Sequence, residues 1–194
     1  FTASGWNQRP EDESVWVLDD LQFTHDPKPY RPKVNVEKYL KDPAREDFLA
    51  KLRPEHPRLI LLDKDLPRIK RLIAEDPKCQ GWYAAIQKKA DQLYRRPPRK
   101  HELPDGRRLL SISRDEVNRM YHWGLMYRLE GDRKWLDRAW QEIQAVVAFK
   151  DWNPSHYLDT AEMMHAMAIG YDWFYNGFSD EQRKVLRDGI WQHG

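Results

Sequence analysis

Apolar residues fall into two regimes along the chain, and the change comes near residue 55. In Ser14–Phe23, positions 15, 17, 21 and 23 are apolar around a break at Asp19-Asp20, the two-residue period of a strand. From His25 to Pro57 six prolines, Pro27, Pro29, Pro32, Pro43, Pro54 and Pro57, stand among many charges. That predicts an extended linker with at most one short helix around Val36–Tyr39.

Beyond it a helical period takes over. Leu66, Ile69, Leu72 and Ile73 share one face of a first helix, with Asp63 or Asp65 as its cap and Pro67 in its first turn. A second helix runs from about Cys79 to Tyr94, with Trp82, Ala85, Ile86, Ala90 and Leu93 inward, and stops before Pro97-Pro98. Pro104-Asp105-Gly106 between two short apolar runs signals a β-hairpin. Ser113 with Glu116 reads as a capping box opening a third helix, and Gly131 is its stop. Asp132 opens a fourth helix through Val147. A fifth spans about His156 to Tyr175, and Ser179 with Gln182 caps a sixth. Six helices with mostly short connections predict a mainly α fold of antiparallel hairpins.

Composition narrows the class. With 40% hydrophobic and 33% charged residues the chain is globular, and nine Trp with nine Tyr supply large apolar area. Such rings either fill a core or stack on sugars. A net charge of +2 is too balanced to point to nucleic acid. No apolar run reaches the length of a membrane span. The single cysteine, Cys79, excludes an internal disulfide framework. The chain opens on Phe rather than Met and its last helix stops abruptly, so it reads as a piece of a longer polypeptide.

Candidate chemistry concentrates in residues 151–173. Trp152, Asn153 and His156 stand at a helix entrance, followed by Asp159, Glu162 and His165. His156 and Glu162 fall roughly 120° apart around a helix and about 9 Å along it, so one ligand could touch both. Each also has a plainer reading. His156 could be a loop residue, Glu162 half of a structural ion pair, Asp159 a first-turn acid favoured by the helix dipole, and His165 a satisfied core histidine. Trp152 and Asn153 could offer a sugar platform and an amide contact. Glu162-x-x-His165 has di-metal spacing, but no second copy occurs, which argues against a metal. Arg95, Arg96, Arg99, Lys100, Arg107 and Arg108 could draw in a polyanion or could be solvated surface.

Three segments carry a likeness. His56-Pro57-Arg58-Leu59-Ile60 with Asp63 to Ile73, Met126 to Ala139, and Trp152 to Trp173 ending Ala168-Ile169-Gly170-Tyr171-Asp172-Trp173 resemble, in that order, heparinase II/III-type polysaccharide lyases. Trp16-x-x-Asp19-Asp20-Leu21-x-Phe23 resembles the closing strand of β-sandwich carbohydrate-binding modules. The resemblance implies three regions: residues 1–24 as the tail of a β-sandwich-like domain, 25–55 as a linker, and 56–194 as the first part of an (α/α) toroid. It implies a secreted or periplasmic enzyme that needs no cofactor and cleaves a uronate-containing, anionic polysaccharide by β-elimination. His156 and Glu162 would neutralise the sugar carboxylate, with Trp152, Asn153 and Asp159 as substrate contacts. Ser155 stands where several related lyases carry Asn, which leaves the neutralising group open. The acid and base would lie beyond Gly194, so the chain alone should be inactive. Two other readings remain, a carbohydrate-binding protein without chemistry and a helical-repeat scaffold. Against the scaffold, no copy recurs at the tetratricopeptide period.

Overall fold

The computed structural model describes residues 52–194. The expected strand, linker and short helix before residue 52 lie outside the described residues. Six α-helices follow one another: α1 (Leu66–Glu75), α2 (Pro77–Tyr94), α3 (Leu110–Glu130), α4 (Arg133–Val147), α5 (Tyr157–Trp173) and α6 (Asp180–His193). Among the described residues there is no strand, so this part of the chain is mainly helical.

Local chemistry explains most boundaries. Asp76 caps α2 by accepting from the N–H groups of Lys78 and Cys79, with Pro77 in the first turn. Asp132 caps α4, and Gly131 between α3 and α4 takes a left-handed φ of 75° that lets the chain reverse. Ser179 and Gln182 form the expected capping box of α6.

Three expectations fail here. Ser113 and Glu116 do not cap α3 but lie buried inside it. The helix starts three residues earlier, because the Leu109 N–H finds a tertiary partner in Asp159 (2.5 Å). Pro104-Asp105-Gly106 does turn, with Gly106 at φ 75°, yet no strands pair across it. Asp105 instead accepts the N–H groups of Arg107 and Arg108 (3.0 and 2.7 Å), closing a tight loop that leads straight into α3. On α2 the inward face is Tyr83, Ile86, Ala90 and Leu93, while Trp82 and Ala85 face solvent.

The core sits between α3, α5 and the helices around them. Trp123, Trp135, Met120, Ile143, Met163 and Phe174 are fully or almost fully buried in it. Cross-contacts fix the directions. Leu109 meets Asp159, Arg114 meets Glu162, Tyr121 meets His165, and Gly124 meets Trp173, so α3 and α5 run parallel, side by side. A Cβ on Gly124 would stand 2.8 Å from the Trp173 ring; the pair needs a residue without one there. α2 and α4 run back along α3, tied by Trp123 Nε1 donating to the Ala90 carbonyl (3.2 Å) and by the ion pair of Arg119 and Glu142 (2.5 Å). α6 closes on α4 and α5, with Gly189 against Val147 and Gly194 against Met164.

One buried group is unbalanced. Glu116, wholly inside the α3–α4 contact, has no hydrogen-bond partner at ordinary geometry among the described residues. Burial and the neighbouring Glu142 carboxylate push its pKa well above the usual range. Arg119 and Arg138 pair with Glu142, so of the two carboxyls Glu116 is the one whose neutral form is favoured.

Candidate functional site

Asp159 organises the start of α5. It lies in the first turn, fully buried, and accepts three hydrogen bonds: from Leu109 N (2.5 Å), Asn153 Nδ2 (2.7 Å) and His156 Nδ1 (2.6 Å). Asn153 makes the geometry possible by adopting φ 57°, ψ 61°, a left-handed conformation that asparagine tolerates better than most residues. The chain then passes through a 3-10 turn, Pro154–His156, into the helix. Because a carboxylate only accepts, His156 must carry its proton on Nδ1. Its Nε2 has no partner among the described residues, and the side chain keeps 38% of its surface exposed.

That imidazole lines an open recess of about 720 Å³, together with Asp105, Arg107, Arg108, Asn153 and Ser155. The opposite wall is the tight loop after α2. Asp105 binds Arg108 Nε (2.5 Å) as well as the two backbone N–H groups, and these bonds, led by the Arg108 N–H, hold its carboxyl well below the usual carboxylate range. Asn153 Nδ2 also reaches the Arg107 carbonyl (2.8 Å), so one amide fastens the loop to the α5 entrance. A smaller recess of about 370 Å³, lined by Pro104, Leu110, Ser111 and Arg114, adjoins on the far side of Asp105 and Arg108.

The five site residues expected from sequence separate accordingly. His156 faces the recess. Asp159 lies behind it, inaccessible to a substrate, and acts on His156 instead. Asn153 gives its amide hydrogens to Arg107 and Asp159 and accepts from Ser155 Oγ (2.9 Å), so its polar groups are already engaged. Trp152 is fully buried, its Nε1 donating to the Val146 carbonyl (3.2 Å); it has no free face for a sugar. Glu162 points along the α3–α5 seam to Arg114 Nε (3.4 Å) and does not line the recess of His156.

One pairing was not visible in the sequence, and it places His165 on the surface rather than in the core. Tyr121 on α3 and His165 on α5 share a hydrogen bond of 2.8 Å, and burial raises the Tyr121 pKa. They lie far apart in sequence, and only the parallel packing of α3 and α5 joins them. Glu162 and His165 thus have separate partners, and among the described residues no group of three or more His, Cys, Asp or Glu could hold a metal ion. Nor, among those residues, is any helix long and apolar enough to cross a membrane.

At the other end of α5 a second buried carboxylate, Asp172, holds the segment before α1. It accepts from His56 Nδ1 (2.6 Å), Arg58 N (2.8 Å) and Leu59 N (2.8 Å). Trp173 Nε1 donates to the Leu59 carbonyl (3.1 Å), and Arg128 binds the Leu61 carbonyl and Asp63. Parts of residues 56–63, 126–139 and 152–173 meet at this point.

No protein-family model matches the chain, and no curated protein matches it closely enough to count as a relative.

Proposed function

We propose that the chain is the helical part of a heparinase II/III-type polysaccharide lyase, exported to meet its polymer substrate. On this reading the helical hairpins belong to an (α/α) toroid that is completed by further chain. The alternation of the fold supports it: α3 and α5 stand parallel and adjacent, while α2, α4 and α6 return behind them. In a toroid the α3–α5 seam would face the central hollow, the side on which Arg114, Glu162, Tyr121 and His165 lie.

The observation that carries the reading is the His156 imidazole, oriented by a buried carboxylate at the mouth of an arginine-lined recess. Elimination from a uronate needs its carboxylate charge offset, so that the C5 proton becomes acidic enough to remove. The C5–H bond then breaks, its electrons form the C4–C5 double bond, and the C4–O bond opens. A base takes the C5 proton, and the leaving oxygen gains one from an acid or from water. His156 Nε2 can exchange a proton with the sugar or hydrogen-bond to it. Glu162 drops out as a neutralising group, since an ionised carboxylate bound to Arg114 repels another.

The test uses the full-length protein with glucuronate, mannuronate and guluronate polymers, following the absorbance of unsaturated uronate ends. Product is expected from at least one polymer and should be lost in His156→Ala. Silence from every polymer would sink the enzyme reading; binding without product would leave a carbohydrate-binding protein.

A further inference from the structure

Resting on that reading of the recess as a uronate site, we infer that Arg107 is the residue that recognises the sugar's acidic group. The role expected of the α5 entrance thereby moves to the loop on the opposite wall. Four observations lead there.

The first is charge. Three ionisable side chains besides His156 line the recess: Asp105, Arg107 and Arg108. Asp105 and Arg108 pair with each other (2.5 Å) and largely cancel. The Arg107 guanidinium makes no hydrogen bond or ion pair among the described residues, although its backbone makes two. Asp159 lies beneath the recess, fully buried and covered by three donors, so it is not the group an arriving anion meets.

The second is preorganisation. Arg107 N–H is held by Asp105 and its carbonyl by Asn153 Nδ2, so the backbone on both sides of its Cα is fixed before any ligand arrives. A cation with a tethered backbone and a free head loses little freedom on binding. A guanidinium also matches a carboxylate with two parallel N–H···O bonds.

The third is the exclusion of the alternatives. Asn153 has committed both amide hydrogens, and Glu162 is bound to Arg114 outside the recess. Neither is free to offset a carboxylate. The fourth is the division of labour that follows. With the acidic group on Arg107, His156 Nε2 stays free for proton transfer, its other nitrogen being fixed by Asp159.

Binding and product formation are measured separately on the full-length protein. The probes are a tetrasaccharide alternating glucuronic acid with N-acetylglucosamine, an oligomannuronate, their carboxyl-reduced counterparts, and a neutral oligosaccharide bearing sulfate. Wild type is expected to bind at least one uronate probe more tightly than its reduced counterpart. Arg107→Gln should weaken uronate binding by about tenfold or more and leave the reduced probes unchanged. Arg107→Lys should recover part of the loss. Thermal unfolding should stay the same, since the guanidinium holds nothing in the fold. Equal affinity for acidic and reduced probes, an Arg107→Gln protein that binds like wild type, or a preference for the sulfated probe over both uronates would each overturn the assignment. Acid-selective, Arg107-dependent binding without unsaturated product would preserve it and remove the lyase reading. Product formed equally well by Arg107→Gln would do the reverse.

Discussion

The two ends of α5 make the same bond for different purposes. Each has a buried aspartate that accepts from a histidine Nδ1 at 2.6 Å. Asp172 adds the backbone N–H groups of Arg58 and Leu59, and Asp159 adds one backbone N–H, from Leu109, and the Asn153 amide. At the far end His56 is only 9% exposed, stacked 3.8 Å from the Tyr175 ring and edge-on to Tyr171. Its ring is packed against two tyrosines, and the result is a staple that holds the segment before α1. At the near end His156 is 38% exposed beside an open recess, with one ring nitrogen unclaimed. The pair itself therefore does not distinguish structure from chemistry; what lies beyond the second nitrogen does. A fixed tautomer with solvent on its free side is a proton-transfer group in waiting, whereas the same tautomer under a tyrosine is cement.

The comparison can be broken at several points, and the largest effect belongs to the staple. Asp172→Ala would strand two backbone N–H groups and His56, costing about 3–5 kcal/mol of stability, read as a large drop in unfolding midpoint. A loss below about 1 kcal/mol would show that this end is not the anchor the geometry describes. Asp159→Asn comes next and should act mainly on chemistry. The amide can donate, which favours the wrong His156 tautomer, so product formation in the full-length protein should fall about a hundredfold or more. Nitrogen shifts of the imidazole should report the tautomer change whether or not the protein is a lyase. An Asp159→Asn protein that keeps the Nδ1–H tautomer would contradict the assignment.

Away from α5, in the α3–α4 contact, Glu116 supplies a buried carboxyl beside another carboxyl for contrast. Its folded pKa is raised, by burial first and by Glu142 second. Its contribution to stability is therefore complete below the unfolded value of about 4.3 and is lost as pH rises through the folded one. Glu116→Gln removes that titration and should stabilise the protein at the alkaline end by about 1–3 kcal/mol. Unfolding midpoints across pH should flatten at that end; parallel curves for variant and wild type would place the pH dependence elsewhere. The smallest effect is expected at Trp152→Phe, which forfeits the bond to Val146 for about 1 kcal/mol. Binding of uronate oligosaccharides should be unchanged, whereas a selective loss would return this ring to the site.

Helix existence was legible where local chemistry sets it. Gly131-Asp132 and the Ser179–Gln182 box mark ends that need no distant partner. The start of α3 was not legible, because the N–H of Leu109, the residue before it, is satisfied by Asp159, fifty residues on. The Pro-Asp-Gly turn was visible, but no local signal told that its flanks would run into a helix instead of pairing. The site was legible in part for the same reason. His156, Asn153 and Asp159 belong to one short segment, so their association follows from spacing along a helix entrance. Arg107 arrives from the α2–α3 loop, and nothing in its neighbourhood separates it from the surrounding surface arginines.

The sequence by itself determined the helices, their order, and a histidine and aspartate three residues apart at a helix start, since periodicity and caps act over one or two turns. Only the tertiary structure decided which groups are closed off and which are open. Trp152, as a substrate contact, and Glu162, as a partner of His156, stayed candidates until packing buried one, paired the other with Arg114 and left an imidazole facing water. Accessibility depends on what distant elements place on each face, and a run of residues does not carry that information.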